Sequence, residues 1–230
     1  MKGTQISVHF QWIVHLDFDK FQRSTSSFSW GLILIKTIYG FSKHLSWPEL
    51  YTSVETEVKI FQTLAILEVV HAAIGLVRSP VGTTAMQVWS RLLLVWPILH
   101  TCATARQSVG VPMLLVAWSV TEVIRYSFYA LGLINSVPFF LTWLRYTLFI
   151  VLYPLGVTGE LLTLFGSLPE VAAKKHYTIE MPNPANMGFS FYAVLIISAL
   201  IYIPGFPQLY LYMFAQRKKV LYVEAAKKKQ

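Results

Sequence analysis

Cysteine is almost absent from this 230-residue chain: Cys102 stands alone, inside an apolar run. A single thiol excludes an intrachain disulfide and any metal cluster built on cysteine. It also fails as a phosphatase nucleophile, because that chemistry needs an arginine six residues on and position 108 is serine. No secretory leader pattern follows Met1 to Ile6, so insertion into a membrane is expected to use the first spans themselves. Alternating apolar and polar residues over segments of about ten, the mark of a membrane β-barrel, are missing. No helical repeat relates the two halves of the chain, which counts against a transporter built on duplicated halves.

What is present is apolar surface in long continuous runs. Hydrophobic residues make up 55% of the chain and the mean hydropathy is +0.52. Val58 to Val77, Ala85 to Ala105, Val111 to Ile134, Phe139 to Leu168 and Phe189 to Phe214 each approach or exceed the roughly 20 residues that cross a hydrocarbon layer. Trp30 to Leu45 is a shorter first candidate with Lys36 inside it, a lysine expected to snorkel or to pair with an acid of a neighbouring helix. The expected fold class is all-α, a polytopic membrane protein with a bundle of six transmembrane helices. Residues 1–29 read as a cytosolic arm, 30–214 as the membrane domain and 215–230 as a basic cytosolic tail.

The net charge of +8 would suggest nucleic acid in a soluble protein, but here the cations gather at the ends of a membrane chain. Six spans put both termini on one side. That side carries ten Lys and Arg against five in the opposite loops, which favours cytosolic termini. No nucleic-acid partner is expected. Ser46 to Glu57 reads as a polar connector, Pro169 as the residue that interrupts the fifth span, and Pro204 with Pro207 as breaks in the sixth. Glu122 and Arg125, three apart, are expected to form an ion pair on one helical face.

The fifth span holds an unusual pair. Tyr153 and Glu160 are seven residues apart, almost two full turns, so both project from one face about 10.5 Å apart along the axis. Pro154 cannot donate to the Ile150 carbonyl, which predicts a kink within that face. A phenol and a carboxylic acid on one apolar helix can be an interfacial anchor and a helix end. They can also be two proton-handling groups.

Three stretches together are specific: Phe61 to His71; Trp118 to Tyr129 with Glu122, Arg125 and Tyr126; and Leu144 to Glu160 with Arg145, Tyr146 and the run Tyr153-Pro154-Leu155-Gly156. Over about residues 47 to 222 the chain resembles the very-long-chain (3R)-3-hydroxyacyl-CoA dehydratases, also called the protein tyrosine phosphatase-like family. Residues 1 to about 30 depart from the family's usual approach to its first span. The resemblance implies a lyase of the endoplasmic reticulum membrane that removes water in the third step of the fatty acid elongation cycle, with Tyr153 and Glu160 as the catalytic pair.

It further implies a very-long-chain 3-hydroxyacyl-CoA substrate held in an apolar tunnel, with cations near the cytosolic face for the CoA phosphates. Arg91, Arg125, Tyr126, Arg145, Tyr146 and Gly156 are the candidate substrate-binding residues. Arg125 has a structural alternative in Glu122. Membrane lipid and other elongation-cycle enzymes are the expected partners, and no cofactor or metal is expected for a simple dehydration. Lys227 and Lys228, the fourth and third residues counted back from the end, have the dilysine form of a retrieval signal. A silent scaffold within elongase complexes is the rival reading, since motif and fold do not by themselves prove turnover.

Overall fold

The structure, a computed structural model, describes residues 28–75, 80–134, 136–182 and 187–227. Among them helix predominates, turns and loops join the helices, and the strand-type pairing is a single antiparallel bridge between Ile179 and Phe189. The helices in chain order are α1 (28–42), α2 (Trp47–Leu64), α3 (Ile66–Ala73), α4 (Val81–Leu93), α5 (Ala103–Arg106), α6 (Gly110–Leu133), α7 (Phe139–Arg145), α8 (Phe149–Lys174) and α9 (Phe191–Lys227). A π-helical stretch, Leu94–Leu99, continues α4 around Pro97.

The presumed connector from Ser46 to Glu57 is instead most of α2. Its start is a capping box, in which the Ser46 N–H and hydroxyl donate to Glu49 Oε2 at 3.0 and 2.7 Å, with Pro48 preset for the first turn. The hydroxyl bond and then the backbone bond hold the Glu49 carboxyl below its ordinary value of 4.5. A lowered carboxylate stabilises the fold above that value and loses the contribution as pH falls through its folded value. Glu49→Gln is therefore expected to lower the thermal midpoint at neutral pH. The gap from the parent should close as melts are run below pH 4.5.

Prolines are tolerated more than their positions suggest. Pro169 does not interrupt its span, because α8 runs on to Lys174, and Pro204 and Pro207 do not break α9. A proline deletes one backbone bond and costs about 3 kcal/mol, whereas leaving helix in apolar surroundings strands several backbone groups at once. At the end of α8 a tertiary contact adds to this, since Glu170 accepts from Thr104 N and Oγ1 at 2.9 and 3.0 Å. The basic tail is helical as far as Lys227, and residues 1–27 and 228–230 lie outside the described residues.

Two helical stretches, Phe139–Lys174 and Phe191–Leu221, are long and apolar enough to cross a membrane. The second buries almost none of its most apolar window, unlike the core helix of a soluble protein, and presents Ile197, Leu200, Ile201, Ile203 and Leu211 outward. These features define a membrane-associated helical protein. Lys36 is accommodated as expected: its ammonium pairs with Glu57 of α2 and donates to the Ser53 carbonyl at 3.1 Å.

The packed core lies toward the α5 end. Leu50, Val54 and Val58 of α2, Leu94, Ile98 and Leu99 of the π-helical stretch, Leu114 and Leu115 of α6 and Leu195 of α9 are all fully buried or nearly so. An open hollow of about 560 Å³ lined by Phe41, His44, Trp47 and Gln107 also belongs to this end. The strongest seam joins α6 to α8. Gly110 lies against the Gly159 carbonyl and Thr163, and Gly156 against Ala117.

Candidate active site

Helix α8 offers the Tyr153 and Glu160 face to α9. The Tyr153 ring stacks parallel on Phe206 and Tyr210, with centroids 5.3 and 6.1 Å away, and Glu160 Oε2 accepts a 2.5 Å bond from the Tyr202 hydroxyl. Thr147 meeting Arg217, Tyr153 meeting Phe206 and Glu160 meeting Tyr202 show that α8 and α9 run antiparallel. The seven-residue spacing thus brings both groups to one interface.

Pro154 leaves its mark there. The Ile150 carbonyl, which a residue other than proline at 154 would satisfy, accepts a 3.0 Å bond from the Tyr210 hydroxyl instead. Tyr210→Phe keeps the ring stack and removes that donor. It is expected to cost about 1 kcal/mol of stability, read as a lowered denaturation midpoint with unchanged spectroscopic helix content.

Among the described residues three carboxylates are buried, and they differ in one respect. Glu122 pairs with Arg91 and, at 2.7 Å, with Arg125; Glu170 pairs with Lys174 at 2.6 Å. Glu160 is held by neutral donors: Trp118 Nε1 at 2.9 Å on Oε1 and Tyr202 on Oε2. Tyr153 is half-buried and within Coulombic reach of both Glu160 and Arg91, and Ser90 faces the Tyr202 hydroxyl. Among the described residues no cation pairs with Glu160, and a buried carboxylate of that kind can change its protonation state without abandoning an ion pair, which is what a proton-transferring group needs.

The other candidates form two further groups. Arg91, Arg125 and Tyr126 belong to one network: Arg125 bridges Glu122 and Glu68, and the Tyr126 hydroxyl donates to Glu68 at 2.8 Å. Arg91 joins this network to the site, with its guanidinium 5.6 Å from the centre of the Trp118 ring. Arg145 stands among the rings of Phe128, Tyr129 and Tyr146 at 4.3, 4.6 and 5.6 Å, and donates to the Tyr129 hydroxyl at 3.1 Å. Gly156 is buried on the α6 side. Cys102 is fully buried.

Trp118, Tyr202 and Tyr210 were not singled out for a role by sequence reasoning. The signal for Tyr202 is a lone polar tip in the run Leu200 to Ile203, and Trp118 lies in a quoted motif without a spacing rule that ties it to Glu160. Among the described residues no group of three or more His, Cys, Asp or Glu is arranged to hold a metal.

Membrane-length apolar helices place the chain among membrane-associated helical proteins, and among the described residues its buried Glu160 carboxylate is held by neutral donors. The chain matches the family model described as protein tyrosine phosphatase-like protein, PTPLA, over residues 62–223, and it belongs to that family. It is 70% identical over 193 residues to very-long-chain (3R)-3-hydroxyacyl-CoA dehydratase hpo-8 of Caenorhabditis elegans, covering 84% of this chain and 88% of that one. It is 45% identical over 192 residues to very-long-chain (3R)-3-hydroxyacyl-CoA dehydratase 2 of Homo sapiens, covering 84% and 76%. Identity to the dehydratase PASTICCINO 2 of Arabidopsis thaliana is 39% over 180 residues, covering 78% and 81%. No solved structure matches the chain.

Proposed function

We propose that this protein removes water from very-long-chain (3R)-3-hydroxyacyl-CoA to give trans-2-enoyl-CoA, the third step of fatty acid elongation. The observation that carries the reading at the level of residues is Glu160, the buried carboxylate that, among the described residues, is bonded to neutral donors beside a phenol. In the elimination the C2–H bond breaks and its electron pair forms the C2=C3 bond. The C3–O bond breaks, and the departing hydroxyl takes up a proton to leave as water. Glu160 is the principal acid–base residue, and Tyr153 supplies a hydrogen bond or proton to the leaving hydroxyl or the developing enolate oxygen. No net electrons are transferred to or from the substrate, so the reaction calls for no redox cofactor.

The same reading sets the enzyme in the endoplasmic reticulum membrane as a six-span protein with both termini in the cytosol, on the excess of cations there. The acyl chain lies among the apolar helices. Of the three candidate arginines, Arg91 and Arg125 are committed to carboxylates, whereas Arg145 has a phenol and ring faces as its partners and is the one best suited to a CoA phosphate. Mass spectrometry of purified membranes supplied with 3-hydroxyacyl-CoA tests the activity. Trans-2-enoyl-CoA is the expected product, and a folded protein that forms none would favour the scaffold reading.

A further inference from the structure

We propose that Tyr202 is a positioning residue for this elimination, its hydroxyl and the Trp118 indole clamping the Glu160 carboxylate from opposite oxygens. The inference rests on the dehydratase reading. Each Glu160 oxygen receives one neutral donor, at 2.9 Å from α6 and 2.5 Å from α9, so the carboxyl plane is fixed by two helices other than its own. Two donors fix a rotation that one leaves free. Orientation of this kind matters to catalysis because a misplacement of about 1 Å can cost about 100-fold in rate.

Tyr202 lies on the inward stripe of α9 with Ala199 and Phe206, while its neighbours Ile201 and Ile203 are 49% and 69% exposed. Its hydroxyl also faces Ser90 of α4. Among the described residues, the carboxylate and its two donors have near them Tyr153 from α8, Arg91 of α4 over the Trp118 ring and Ser90 of α4 at the Tyr202 hydroxyl. Tyr202 ties α9 to α8 and α4 through its hydroxyl, and its partner Glu160 shares a face of α8 with the phenol of Tyr153.

The test uses the full chain, purified in detergent and assayed with 3-hydroxyacyl-CoA. Tyr202→Phe is expected to lower kcat by about 10- to 100-fold with KM changed by less than about twofold, and to melt within about 3 °C of the parent. In a Glu160→Gln background the same substitution should remove little further activity in single-turnover assays, because its effect passes through the carboxylate. Incorporation of 3-fluorotyrosine at position 202, which keeps the ring and hydroxyl, is expected to shift kcat severalfold and serves if the phenylalanine variant does not fold. Parent kcat in the phenylalanine or fluorotyrosine variant, a raised KM with kcat unchanged, or an equal loss in the Glu160→Gln background overturns the assignment. A parent that yields no trans-2-enoyl-CoA overturns the dehydratase reading itself, whereas a working parent with an unaffected Tyr202 variant overturns only this proposal.

Discussion

Glu160→Gln is expected to slow dehydration by about three orders of magnitude while leaving a folded protein that still binds acyl-CoA. The amide matches the carboxyl in volume, and its oxygen can accept one of the two donors that now reach Glu160. Its NH2 group must face the other donor. The stability cost should therefore be that of one buried bond left unmade, about 1–3 kcal/mol, with no cavity created. Chemistry loses far more, because the amide can neither take the C2 proton nor return one at neutral pH. Tyr153→Phe removes only a hydroxyl from a ring held by Phe206 and Tyr210, so a loss of about 100-fold with little change in melting is expected. Rates from product mass spectrometry, paired with melting curves and acyl-CoA binding, separate the two effects. Turnover at the parent rate in either variant would refute the assignment of that residue.

The Tyr153 and Glu160 pair was legible in the sequence because a helix converts a seven-residue interval into a shared face, whatever surrounds it. The groups that complete the site obey no such interval. Trp118, Tyr202 and the Arg91 partner of Glu122 come from other helices, and which helices meet is decided by packing across the bundle. Lys36 and Glu57 lie between these cases: the need for an acid could be argued from burial in an apolar run, but not which acid. The start of α2 was written plainly in Ser46-Trp47-Pro48-Glu49, a cap signature hidden by the polarity of the residues after it. At Pro169 the local rule was overridden by a contact from α5 and by the demand for continuous backbone bonding.

Gly159→Val is expected to damage both stability and turnover, because the α6–α8 seam admits no side chain at that point. A Cβ on Gly159 would stand 2.8 Å from Leu114 N and 2.9 Å from the Gly110 carbonyl oxygen, both backbone atoms that cannot rotate away. The reciprocal contact is tighter still, since a Cβ on Gly110 would reach the Gly159 carbonyl oxygen at 2.4 Å. Relief requires the helices to part, and overpacking of this kind costs about 3 kcal/mol or more. The same movement carries Trp118, one turn beyond Leu114, away from Glu160, the residue next to Gly159. Catalysis should therefore fall further than the folded fraction does, by about 100-fold for a displacement near 1 Å. Gly205→Ala is the matched control: nothing lies within 4 Å of its added Cβ, and relief of backbone entropy should leave the melting point unchanged or raised. Parent-like melting and kcat in Gly159→Val would show that α6 and α8 are not held as closely as their backbone contacts require.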